Sequence, residues 1–130
     1  MNVKNYYENS QTMLKKGELA KGGELLWGAI AESIKALRLK YDAEPIRSHY
    51  QIRNALKEIA LSYKKFRMEW AESADLMHVN FYESFMDDES FRANYEKSKM
   101  ALFFIMRLNE KRGKEKPTAD ISSTNVSKTD

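Results

Sequence analysis

From Ile46 to Arg112 the chain contains neither glycine nor proline. A stretch of that length with no backbone breaker, and with apolar residues recurring every three or four positions, reads as helix throughout. The breakers fall outside it: Gly17, Gly22, Gly23, Gly28 and Pro45 before, Gly113 and Pro117 after. The fold class this imposes is all-α.

The first segment places Val3, Tyr6, Tyr7, Met13 and Leu14 at helical spacing and ends on Lys15-Lys16-Gly17, basic residues and a glycine suited to a helix C-terminus. A second helix carries Trp27, Ile30, Ile34, Leu37 and Tyr41 along one face until Pro45 stops it. The third pattern runs through Ile52, Leu56, Ile59, Tyr63, Phe66 and Trp70, then on through Ala74, Met77, Phe81 and Phe85. As one helix from about 50 to 85 it would reach roughly 54 Å, against a diameter of about 36 Å for a compact chain of this size. It must therefore break, and Tyr63-Lys64-Lys65 is its least apolar place. A second break is marked by Asp87-Asp88-Glu89, an N-cap and acidic first turn for a last helix from about Asp88 to Glu110. An up-and-down bundle of five helices is expected over 1–110. Residues 111–130, KRGKEKPTADISSTNVSKTD, hold only Ile121 and Val126 as aliphatic side chains and are expected to form a flexible basic and polar tail.

A chain of 130 residues fits one domain and can bury a self-sufficient core. The absence of cysteine removes disulfide scaffolds, thiolate metal sites and cysteine nucleophiles, and no apolar run approaches a membrane span. The reading is a soluble cytoplasmic protein with no membrane partner. A net charge of +3, from 22 basic against 19 acidic residues, describes a nearly balanced surface. Basic clusters at Lys64-Lys65-Arg67 and Lys111-Arg112-Lys114-Lys116, with Lys35, Arg38 and Arg53, could meet phosphates, but read first as solvated faces.

No complete catalytic signature is present. Asp75 and His78 lie one turn apart and superficially match the carboxylate-x-x-His ligands of di-iron bundles, but the second copy is missing because Ile46 precedes His49. Neither a His-Glu-x-x-His zinc motif, a Gly-x-Ser-x-Gly elbow nor a phosphate loop occurs. Gly22-Gly23 sits inside a helical pattern and is better suited to close helix contact. No catalytic residue, metal or cofactor is assigned. The helix–glycine turn–helix of the first hairpin has the ingredients of a tetratricopeptide unit, but the unit does not recur.

Two segments carry a family resemblance. KKGELAKGGELLWGAIAESIKAL, from Lys15 to Leu37, and ADLMHVNFYESFMDDESF, from Ala74 to Phe91, resemble the archaeal PaREP-one family of small all-helical proteins, related to the HEPN superfamily. The matching positions are Gly17, Glu24, Trp27, Gly28 and Ala29 in the first block, and Leu76, His78, Asn80, Phe81, Tyr82 and Glu83 in the second. The resemblance covers roughly 1–110 and implies a HEPN-like helical bundle. Ribonucleases of the wider superfamily use an arginine followed after four to six residues by a histidine. Here the corresponding positions are Ala71, Glu72 and Ser73 before His78, and Asp42, Ala43 and Glu44 before His49. The resemblance therefore implies a non-catalytic interaction module that binds a protein, RNA or nucleotide; an RNA-directed enzyme with displaced catalytic residues is the alternative.

Within LMHVNFYES, Met77, Phe81 and Phe85 are expected in the core seam, with Asp75, His78 and Tyr82 as a polar row beside it. Asp75 could orient the imidazole and the Tyr82 phenol could share its proton. Glu24, one turn before Trp27, is the side chain expected to meet that row across the bundle. Asn80 and Glu83 complete the candidate cluster, which is either a packing network or a binding site.

The last helix is apolar on more than one side over MALFFIMRL. Leu102, Ile105 and Met106 continue the line of Phe91 and Tyr95 toward the core, while Met100, Phe103 and Phe104 point away from it. That second face is expected to meet a second subunit near Phe103 and Phe104, giving a homodimer, unless other helices of the same chain enclose it.

Overall fold

The computed structural model describes residues 1–41 and 44–112, side chains of the last two excepted. The tail expected over 111–130 lies outside the described residues, apart from the backbone of its first two. The described residues form five helices: α1 (Val3–Lys15), α2 (Leu19–Lys40), α3 (His49–Ser62), α4 (Met68–Glu83) and α5 (Asp88–Arg112). The all-α bundle expected from the sequence is the fold of the chain. No helix among the described residues is long and apolar enough to cross a membrane.

Each boundary has a local cause. Asn2 caps α1 by accepting the Asn5 amide at 2.8 Å. Gly17, at φ +81°, closes α1 in the left-handed conformation that favours glycine, while the Glu18 and Gly17 amides return to the Met13 and Leu14 carbonyls. Ser48 and Gln51 form a reciprocal capping box at the start of α3. Asp87 accepts the Ser90 amide at 2.7 Å to start α5, the role its sequence position suggested.

The long third pattern does break, between Tyr63 and Arg67. Tyr63 and Phe66 are themselves buried, so the turn is pinned to the core by two aromatic rings. Both pack edge-on against Phe104, at centroid distances of 5.6 and 5.3 Å. Phe104, expected to face away with Met100 and Phe103, is therefore half-covered by its own chain.

Beyond the turn the projected seam holds through Ala74 and Met77, both buried, and fails after them. The buried positions of α4 are Ala71, Ser73, Ala74, Met77 and Asn80. Phe81 and Phe85, expected in the core, are exposed instead, Phe85 at 54%. From Met77 the buried line passes to Asn80 rather than Phe81, and α4 ends at Glu83, before Phe85.

α2 is the central helix, buried along Leu26, Trp27, Ala29, Ile30, Ser33, Ile34 and Leu37. It packs against α1, α4 and α5, whereas α3 rests mainly on α4 and only lightly on α2. Small residues permit this. A methyl group added at Gly23 would lie 2.9 Å from the Phe91 ring and 3.0 Å from the Met77 sulfur, so α2 approaches the α4–α5 hairpin closely only because Gly23 has no side chain. The buried Ser10 hydroxyl donates to the Gly22 carbonyl at 2.6 Å and also hydrogen-bonds the Tyr95 phenol at 2.7 Å, joining α1, α2 and α5.

Candidate functional site

α2, α3 and α4 converge on two histidines. His49 opens α3, where the Ser48–Gln51 capping box fixes the entry of the chain. His78 lies on α4, one turn after Asp75, and Glu24 and Trp27 lie one turn apart on α2. The two imidazole rings are 4.4 Å apart between centroids, and the Trp27 indole lies 5.0 Å from His49 and 5.3 Å from His78. Trp27 is only 6% exposed and forms the apolar floor of the cluster.

A carboxylate holds each ring. Nδ1 of His78 donates to Oε1 of Glu24 at 2.8 Å, the cross-bundle contact expected from the sequence. Nε2 of His49 donates to Oδ1 of Asp75 at 2.8 Å, and Nε of Arg53 lies 3.6 Å from the same oxygen. The geometry is thus two carboxylate–histidine pairs set ring to ring, with Arg53 beside one of them.

This arrangement corrects part of the expected polar row. Asp75 shares a helix face with His78 but serves His49, because α3 brings an imidazole and a guanidinium to the carboxylate. Tyr82 makes no hydrogen bond to His78; its ring meets the imidazole edge-on at 5.3 Å, and the residue is 68% exposed. Asn80 is buried and acts on the backbone: its Oδ1 accepts the Phe85 and Met86 amides at 2.9 and 3.0 Å, closing α4 where Ser84 turns into the left-handed region. Glu83 is exposed at the end of α4, away from these hydrogen bonds.

His49 and Arg53 belong to the cluster, although from sequence His49 is weighed only against metal and ribonuclease patterns and Arg53 only as a basic surface residue. Local spacing hides them, since their partner Asp75 lies on the next helix. Once the turn at Tyr63–Arg67 folds α3 back along α4, however, His49 and His78 fall at comparable distances on either side of it. That antiparallel register was the available signal.

Burial pushes the Glu24 carboxyl above its ordinary range, while the His78 hydrogen bond and the charges of His78 and His49 pull it back. Each carboxylate also selects a ring tautomer. With Nδ1 of His78 committed to Glu24, Nε2 is the ring nitrogen left for another partner. Nδ1 of His49 is buried and has no hydrogen-bond partner among the described residues. Among the described residues, no group of three or more histidine, cysteine, aspartate or glutamate side chains is placed to share a metal ion.

Beside the cluster, between α3 and α4, lies a hollow of about 260 Å³ lined by Arg53, Lys57, Met68, Ala71, Glu72, Asp75 and Leu76. At 100° per residue, His49, Tyr50, Arg53 and Lys57 occupy a single arc of about 100° on α3. Tyr50 is 66% exposed on that arc.

No curated protein and no solved structure matches the chain. The two blocks that supply Glu24, Trp27, His78 and Asn80 nevertheless lie within a family match: residues 1–102 fit the model of the archaeal PaREP1/PaREP8 family, and the chain belongs to that family.

Proposed function

We propose that this protein is a non-catalytic, HEPN-like interaction module that works as a homodimer and binds RNA or a nucleotide on its α3–α4 face. The observation that carries the reading is the single arc of α3 on which Tyr50, Arg53 and Lys57 stand beside the paired histidines. Cationic side chains next to an exposed aromatic ring suit a phosphate backbone with an unstacked base, which is how single strands are bound. Cations with a single exposed ring favour a nucleic acid or nucleotide over a protein partner on this face. Support for the homodimer is separate: Met100 and Phe103, one turn apart on α5, are 46% and 41% exposed, Phe103 even though its ring meets Tyr7 of α1 edge-on at 5.5 Å.

The test is fluorescence anisotropy with short labelled single-stranded RNA across a salt series. Binding should weaken as salt rises. Arg53→Glu with Lys57→Glu should abolish it while the helical circular-dichroism signal stays unchanged. Undiminished binding by that folded double variant would overturn the reading.

A second reading, an RNA-directed enzyme with displaced catalytic residues, draws on the Nε2 of His78, oriented through Nδ1 by Glu24 and positioned for proton transfer. Cleavage of mixed labelled RNAs that disappears in folded His78→Gln would favour it over the binding module.

A further inference from the structure

The outward stripe of α5 consists of Glu89, Ala93, Glu96, Met100, Phe103 and Arg107, all exposed and recurring every three or four residues. Along the helix it passes from acidic through small and apolar to basic. The helix dipole accounts for acid at the start and base at the end. It does not account for Met100 and Phe103 between them, nor for a small residue one step in from the acidic end.

We infer that two copies of the chain pair through this stripe in antiparallel register, about a two-fold axis level with Ser98. The inference rests on the homodimer reading above and specifies its geometry. Reversing the stripe against itself sets Glu89 opposite Arg107, Ala93 opposite Phe103, and Glu96 opposite Met100. Each contact occurs twice, as a two-fold interface requires. A large ring then meets a small residue and a cation meets an acid. Parallel pairing would instead place Arg107 on Arg107 and Glu89 on Glu89.

The charges within these pairs are consistent with this register. Glu96 is already paired with Lys99 of its own helix at 3.1 Å, so it brings no unpaired charge to Met100. Arg107 has no ion-pair partner among the described residues, nor has Glu89. Arg107 also borders a hollow of about 280 Å³, with Lys65 as a second cation and Trp70 and Phe104 as walls. In the antiparallel pair this basic, aromatic hollow receives the acidic start of the partner's α5. A second copy is the occupant that satisfies charge, size and two-fold symmetry together.

Sedimentation equilibrium of the full chain at micromolar concentration should give twice the chain mass of 15.2 kDa. Arg107→Glu or Glu89→Lys alone should weaken the dimer at least about tenfold, because each sets like charges opposite one another twice. The combined Glu89→Lys, Arg107→Glu variant should recover most of the wild-type affinity. The chain has no cysteine of its own, so Ala93→Cys with Phe103→Cys should cross-link two copies under mild oxidation, whereas Ala93→Cys alone should not. A monomeric wild-type protein would sink both the dimer and its register. A dimer that the double charge swap fails to rescue, and that the paired cysteines fail to cross-link, would overturn the register alone.

Discussion

The imidazoles of His49 and His78 stand ring to ring, 4.4 Å apart between centroids, and each turns one nitrogen to a different carboxylate. The cluster is therefore two bonded pairs in contact, and a thermodynamic cycle can separate them. His78→Ala should cost about 1–3 kcal/mol by leaving the Glu24 carboxylate without its donor. Glu24→Ala and His78→Ala together should cost less than their sum by about 0.5–3 kcal/mol. Strict additivity in urea denaturation would mean that the two residues do not interact.

The pH dependence should expose Glu24 directly. Because burial raises its carboxyl in the folded state, the folded protein holds that proton to higher pH than the unfolded chain does. Stability from this group is complete below the ordinary carboxylate range and is lost as pH rises through the raised folded value. Glu24→Gln cannot titrate. Relative to wild type, it should therefore gain stability as pH is raised from about 4 to about 7 in a series of urea midpoints. A gap that stays constant across that series would contradict the raised carboxyl.

Trp27→Ala should cost about 3–5 kcal/mol, the usual range for removing a large buried aromatic side chain. The indole is also the floor beneath both imidazoles, so the ring-proton NMR shifts of His49 and His78 should move together in this variant. A cost below about 1 kcal/mol would place Trp27 outside the core.

Asn80→Ala should cost about 1–3 kcal/mol, since two backbone amides lose a buried acceptor at one helix end. Amide exchange should accelerate most at Phe85 and Met86. An unchanged rate at those two amides would show that another group satisfies them.

Much of the fold was legible because it rests on local signals. Gly17, Pro45 and Asp87 mark ends by their own chemistry, and the Tyr63–Arg67 break follows from the length that an unbroken helix would need. What was misread depended on rotation about an axis. Phe81 and Phe85 continue the spacing that buries Ala74 and Met77, but the last turn of α4 buries Asn80 instead and the helix ends before Phe85, so spacing alone put them in the core. The site divides in the same way. Glu24 and His78 were both chosen by helical spacing and meet as expected. Asp75 was assigned to the histidine on its own helix because the competing imidazole of His49 is close only in space. Asn80 looked like part of a polar cluster, although its work is to hold the two amides that follow α4.

α3 rests mainly on α4, yet it supplies His49, Arg53 and Lys57 to the candidate site. The site is thus no more durable than the docking of α3, which Ile52, Leu56 and Ile59 hold in the core. In molecules where α3 has lifted away while α1, α2, α4 and α5 stay packed, Asp75 keeps no imidazole and the hollow has lost a wall. Such molecules cannot bind at this face, and a ligand held by Arg53 and Lys57 would draw them back to the docked form by mass action and slow hydrogen exchange along α3.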